Sequence, residues 1–502
     1  MNNGFLGAET RFKKPPSETL VNSAFAYELE CSRYVMKGLS IADLAHVMNL
    51  SQDEVIQPDV ALALIKGLQD VHLRGTDVIP LDPAVGDSYN NRDKYLQSEL
   101  PALSGYIHIG RARREASTLA WQLCCREKML NVHKALTKLV ATFNDVIAQH
   151  HTTYMADFTY LQHAQPTTLA HYLQGFQMPL TRDLDRVENA LKMVNQSPAC
   201  SGSVNGSQIP MDRYRIAELL EFPAVIEHTR DAMWAPDMCL DLMLPLNSIM
   251  TTLDRVSEEF IVWNSAEFAY LELDDAHTRT SVIMPQKKNP YGLAYIRGQA
   301  RALNGTMMSL LSCNQTISGQ PDNRLYAYGE LPRAMDYVEQ CLALFEETLR
   351  AARFDKSQLA KAAADNFIIS TDLCDMLVKH AGLDNRSAHK IIARAVRNAL
   401  ENAQTKLTLS AVMTAASQLA IVLPAISQDV FDEVSNIPSL IMLRQGVGSA
   451  HPDSVKSLAS KTARRISLAE DYANELNFEH FEQRFLNRVN EYIAFLEGQC
   501  ER

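Results

Sequence analysis

Residues 245–263 read PLNSIMTTLDRVSEEFIVW, and the apolar positions Leu246, Ile249, Leu253, Val256, Phe260 and Trp263 recur at alternating spacings of three and four. That near-heptad rhythm lays one apolar stripe along a helix, the pattern of helices that cross at small angles in a bundle. The same rhythm precedes it in Met129, Val132, Leu136, Leu139, Phe143 and Val146, and follows it in Leu293, Ile296, Ala300, Leu303, Met307 and Leu310. An ordinary amphipathic helix accounts for any one of these stripes. Three in the middle of one chain point to a long helical bundle.

Outward from this centre the texture changes. Before it, shorter helical runs (Ala24 to Leu39, Gln57 to Leu73) are separated by turn-like PP, DVIPLDP and GDSYNNRD segments. After Phe354 the helices shorten again, broken by GLDNRS, VLPAISQ and RQGVGSAHPDS. The expected layout is all-α: a helical head over residues 1–112, a long-helix bundle over 113–353 and a helical tail over 354–502. A chain of 502 residues is more than one core normally organises, and its 20 glycines are too few for a turn-rich β fold.

A net charge of −11 argues against nucleic acid, whose phosphates need a basic face, but leaves room for a local site for a small anion. The nine cysteines show no C-x-x-C spacing, so neither a zinc site nor a full disulfide framework is expected, and reduced thiols in a cytoplasmic protein fit best. The N-terminal residues lack an apolar signal core, and no apolar run is long enough for a membrane span.

The chemistry concentrates in TSVIMPQKKNP, Thr280 to Pro290, between the second and third stripes. Read as a loop emptying into a helix N-terminus, it offers unpaired N–H groups and a positive dipole end to a carboxylate. Lys287 adds a cation, Asn289 an amide donor, and Ser281 a hydroxyl close to positive charge. A polar turn with a solvated lysine pair is the plain alternative.

This segment resembles the G-S-S-x-M-P-x-K-x-N motif of the fumarase/aspartase superfamily, and its MPQKKNP has the wording typical of argininosuccinate lyases. The resemblance implies that Ser281 is the general base and that Lys287 and Asn289 hold the substrate carboxylate and the charge building beside it. Thr280 stands where the motif has glycine, and Val282 where it has the second serine. Glycine lets such a loop open cheaply, so Thr280 bears on its flexibility. A second likeness, FTYLQHAQPTTLAH from Phe158 to His171, follows the family's T-H-L-Q-x-A-Q-P stretch. It implies substrate contacts for Thr159 and Gln165 and places Tyr160 where the family has a catalytic histidine. Tyrosine can still donate a proton, with an unperturbed pKa near ~10 rather than ~6.5. A third, GRARREA from Gly110 to Ala116, follows G-R-S-R-N-D-Q. Arg113 matches, Ala112 has lost a hydroxyl, and Arg114 can grip a carboxylate bidentately in place of the amide. Tyr89 also stands near a family histidine.

The resemblance runs from about residue 20 to beyond 450, with weaker echoes at Ser201–Phe222 and Ser370–Val378. It implies a three-domain fumarase/aspartase-type fold and a homotetramer whose bundles join in a twenty-helix core, with active sites shared among subunits. It further implies β-elimination from a small anionic succinyl compound with release of fumarate, without metal or organic cofactor. A catalytically impaired structural relative and a cycloisomerase on the same fold are the alternatives.

Overall fold

The computed structural model describes residues 11–501, and they fold into a long helical bundle with smaller helical units at its ends. The elements that matter below are α1 (Ser32–Gln52), α2 (Ser88–Glu99), α3 (Arg113–Gln149), the strands β1 (Tyr154–Thr159) and β2 (Gln162–Thr168), and α4 (Leu169–Val194). They continue with α5 (Asp237–Trp263), the short strands β3 (Arg279–Thr280) and β4 (Lys288–Asn289), α6 (Tyr291–Cys313), α7 (Asp322–Ala351), α8 (Pro452–Leu476) and α9 (Phe481–Cys500).

The three stripes are the buried faces of α3, α5 and α6; only Met307 among their residues remains partly exposed. At about 1.5 Å per residue, the 37 residues of α3 span roughly 55 Å. It packs against α1, α4 and α7, while α5 lies against α4, α6 and α7. Phe143, Phe260, Trp263 and Phe345 meet in one aromatic cluster where α3, α5 and α7 approach. Two further long helices, α4 and α7, escape the stripe reading. Each carries a proline inside it, Pro179 and Pro332, as α5 does at Pro245.

The run expected from Ala24 to Leu39 is helical but broken by a turn at Glu30 and Cys31, beyond which α1 starts at Ser32 and continues to Gln52. Between Ser32 and Leu50 it is buried on nearly every side, so no polar face marks its length in the sequence. Residues 373–440 form a core of their own around Leu373, Leu377, Ile391, Ile392, Val412 and Phe431. The chain then returns. Val455, Ile466 and Ala469 of α8 join the bundle core, and Phe485, Val489 and Leu496 of α9 join the core of the head. Among the described residues strands occur only as two-residue pairs and one longer hairpin, β1–β2, so the class is all-α. No helix among the described residues is long and apolar enough to cross a membrane.

Candidate active site

The GRARREA segment lies where the head meets the start of α3. Arg111 is structural: its guanidinium sits 2.6 Å from Asp43 of α1, whose other oxygen takes Arg92 of α2 at 2.7 Å. All three are buried. Burial alone would raise the Asp43 pKa, but the Arg111 and Arg92 charges together hold it below the usual carboxylate range. Arg113 reaches Asp87 at 2.9 Å, and Asp87 caps α2 by accepting the Asn90 N–H. Arg114 lies over the Tyr328 ring, 5.9 Å from its centroid, and forms no ion pair among the described residues. With Glu28, Ser88, Tyr89 and Ser117 it lines a small recess. Next to it, Glu115 accepts the Cys200 and Gly202 N–H groups, both at 2.7 Å, and burial pushes its carboxyl up to about 7. Glu115 therefore clamps the 200–206 turn. There Gly202 is left-handed at φ +64° and would bring a Cβ within 2.7 Å of the Gly206 carbonyl.

The second motif forms the β1–β2 hairpin. Thr159 pairs with Gln162 across a two-residue turn made of Tyr160 and Leu161, at φ 53° and 57°. Turns with two left-handed residues favour Asn-Gly, and a side chain costs roughly 1–2 kcal/mol per such position. The turn accepts that strain and presents Tyr160 fully to solvent, 99% exposed. Gln165 is separated from this tip. It lines a cleft of about 880 Å³ with Asp157, His171, Asp372 and Arg444, between the hairpin base and the residue 372–450 region.

The third motif departs from the expected loop. Arg279 pairs with Asn289 and Thr280 with Lys288, so the segment is a short β-hairpin flap rather than a loop running straight into α6. Ser281 Oγ accepts the Met284 N–H at 3.2 Å, and Asn289 Nδ2 donates to the Arg279 carbonyl at 2.9 Å. Lys288, not Lys287, is engaged, with Asp275 at 2.6 Å. Lys287 forms no ion pair among the described residues, and no hydrogen bond ties it to Ser281. Ser281 and Lys287 stand on the same short turn, each bonded to Met284, Ser281 through its hydroxyl and Lys287 through its N–H. Val282 and Ile283 at the tip are 102% and 83% exposed, an unusual place for two branched apolar side chains.

No hydrogen bond or ion pair among the described residues connects the recess, the hairpin tip and the flap. Sequence reasoning singled out Tyr89 alone, but the structure gives it company. Its hydroxyl lies 3.0 Å from His108 Nδ1, and His108 Nε2 lies 2.9 Å from Asp93. The spacing of four between Tyr89 and Asp93, one face of α2, was the available signal; His108 comes from a separate turn and left none.

Residues 22–305 match the lyase family, and residues 367–439 match the argininosuccinate lyase C-terminal family. The argininosuccinate lyase of Methanoculleus marisnigri is 30% identical over 453 residues, covering 90% of this chain and 92% of its own. That of Pelotomaculum thermopropionicum is 30% identical over 91% of this chain and 98% of its own. In three dimensions the chain matches a variant of EDDS lyase with bound fumarate at a TM-score of 0.85. The match covers 97% of both chains at 24% identity and establishes the shared fold.

Proposed function

This chain belongs to the argininosuccinate lyase family, and we infer from that premise that it is a carbon–nitrogen lyase releasing fumarate from an N-substituted aspartate. The carrying observation is the exposed flap, which keeps serine, lysine and asparagine of the motif together at the start of α6. In the proposed reaction Ser281 takes the proton from the carbon next to a substrate carboxylate. Lys287 and Asn289 stabilise the charge that spreads into that carboxylate, where catalysis by electrostatics gains most. The C–N electron pair leaves with nitrogen, which takes up a proton, and fumarate remains. Thr159 and the catalytic phenol of Tyr160 contact the substrate from the hairpin tip, and Arg113 and Arg114 receive its other carboxylate.

We further propose a homotetramer in which these segments meet across subunits. Gly298 and Gly305 stand inside α6, where a glycine costs roughly 1 kcal/mol relative to alanine, yet a Cβ at either would meet nothing within 4 Å among the described residues. With exposed Ala294 and Ala302 they leave a flat face suited to close approach by another helix. A mass of about four times 56.2 kDa by light scattering is expected, and a monomer at micromolar concentration would remove the shared site. We also propose a cytoplasmic location, which nine cysteines free of disulfides fit.

The leaving group is not expected to be arginine. In argininosuccinate lyases the stretch L-P-S-T-Y-N-K-D-L-Q-E-D-K supplies tyrosine, glutamine and lysine to the arginine half, and Ile317–Gly329 stands at that place here. Pro321 then replaces the tyrosine, Tyr326 the glutamine and Gly329 the lysine. Gly329 is buried against Cys31 and Pro321 merely opens α7, so neither offers a hydrogen bond to a guanidinium. Losing such partners removes several kcal/mol of discrimination. Fumarate release, followed by absorbance with argininosuccinate beside simpler N-substituted aspartates, tests both parts. No fumarate from any of them refutes the lyase reading; kcat/KM above about 10⁴ M⁻¹s⁻¹ on argininosuccinate restores arginine as leaving group.

A further inference from the structure

Beneath the recess lined by Arg114 runs a chain of three groups that the proposed reaction has not used. Tyr89 and Asp93 stand one turn apart on α2, and His108 reaches in from the turn before α3 to touch both, at 3.0 and 2.9 Å. A carboxylate only accepts, so His108 carries its proton on Nε2 toward Asp93, leaving Nδ1 to accept from the Tyr89 hydroxyl. Tyr89 is 7% exposed and lines the recess, while the His108 side chain is 41% exposed. One end of the chain therefore faces the candidate site and the other faces water. We propose that Tyr89 is the general acid that protonates the departing nitrogen, recharged from solvent through His108 and Asp93.

The step balances. As the C–N bond breaks, its electron pair goes to nitrogen and the Tyr89 O–H proton follows, leaving a phenolate. His108, protonated from water, returns a proton from Nδ1 to that oxygen. Arg111 of the loop before α3 and Asp43 of α1 face Tyr89 with opposite effects, Asp93 acts with Asp43, and Glu28, Asp87 and Arg114 share the recess. Burial is the largest influence and keeps the resting group a neutral phenol, the form an acid needs. Tyr160, by contrast, stands alone at the hairpin tip, with no neighbour among the described residues to resupply a proton. This assignment rests on the lyase reading of the preceding subsection and deepens it by naming the acid.

The test compares leaving groups. Chlorosuccinate loses chloride, which needs no proton, whereas an N-alkylaspartate loses an amine, which does. Tyr89→Phe in the full-length protein should lower kcat on the N-alkylaspartate by about 10²-fold or more and leave chlorosuccinate elimination within about twofold. His108→Ala should show the same contrast at about tenfold. Equal losses on both substrates would make Tyr89 structural, and an unchanged amine rate, or the contrast appearing in Tyr160→Phe instead, would pass the role to another group. An arm independent of turnover uses tyrosine labelled with ¹³C at Cζ. The Tyr89 resonance should move in His108→Ala, where its hydroxyl loses the Nδ1 acceptor. A resonance unmoved by that substitution overturns the relay even if every substrate assay fails, and failure of all N-substituted aspartates in the wild type refutes the lyase reading instead.

Discussion

The recess at the start of α3 and the flap before α6 carry comparable numbers of motif residues and are built in opposite ways. At the recess, a buried ion triad, a capped helix and the Glu115 clamp fix the arginines' backbone before any ligand arrives. At the flap, two strand pairs and a few exposed hydrogen bonds hold Ser281 and Asn289, and the apolar tip has nothing to rest on. The contrast separates labour. The rigid region is suited to binding a carboxylate without reorganising, and the loose one to delivering a base after the substrate is in place.

The largest expected effect breaks the flap's chemistry without touching its structure. Ser281→Ala should abolish turnover while changing stability by less than about 0.5 kcal/mol, since a half-buried serine with one hydrogen bond inside an exposed turn contributes little to the fold. Retention of more than about a tenth of the wild-type rate, roughly 1.4 kcal/mol of barrier, would mean a different base.

The converse holds at the recess. Asp43→Ala leaves two buried guanidiniums without their counter-charge and should cost on the order of 3–5 kcal/mol in denaturant unfolding. A loss below about 1 kcal/mol would show that the triad does not set the rigidity of this end.

A middle-sized effect tests what the flap closes on. Replacing Val282 and Ile283 together by serine should leave thermal unfolding of the subunit nearly unchanged but lower kcat by roughly tenfold, because the apolar tip then has less to gain on closure. Unchanged kcat would leave the tip without a role in catalysis.

The remaining effect is a pH dependence. Glu115 has a folded-state pKa of about 7 against 4.5 when unfolded, so the folded protein binds its proton more tightly. Its contribution is complete below 4.5, declines as pH rises from 4.5 to 7 and is flat beyond. Urea midpoints measured at constant ionic strength across that window should fall with pH, and Glu115→Gln should flatten the trend. A wild-type midpoint that rises through the same window would contradict the burial argument.

Legibility in the sequence followed the same divide. The stripes of α3, α5 and α6 could be read because each faces a core on one side, and periodicity records that. The full length of α1 could not, being buried nearly all round. At the site, local wording identified the three segments and the residues on them. It gave no warning that the 280–289 segment pairs with itself as a hairpin, or that Gln165 lines a cleft away from Tyr160.

By itself, then, the order of residues determined the helical class, the bundle at its centre and the chemical identity of the candidate groups. All three are properties of short windows: apolar spacing, turn residues and a ten-residue motif. Only the tertiary structure decided that Arg111 and Glu115 serve the fold while Arg114 faces a recess, and that His108 stands between Tyr89 and Asp93. Those outcomes depend on contacts between residues 15 to 87 positions apart. The charge balance around a side chain is set by what the fold brings to it, and no local pattern contains that.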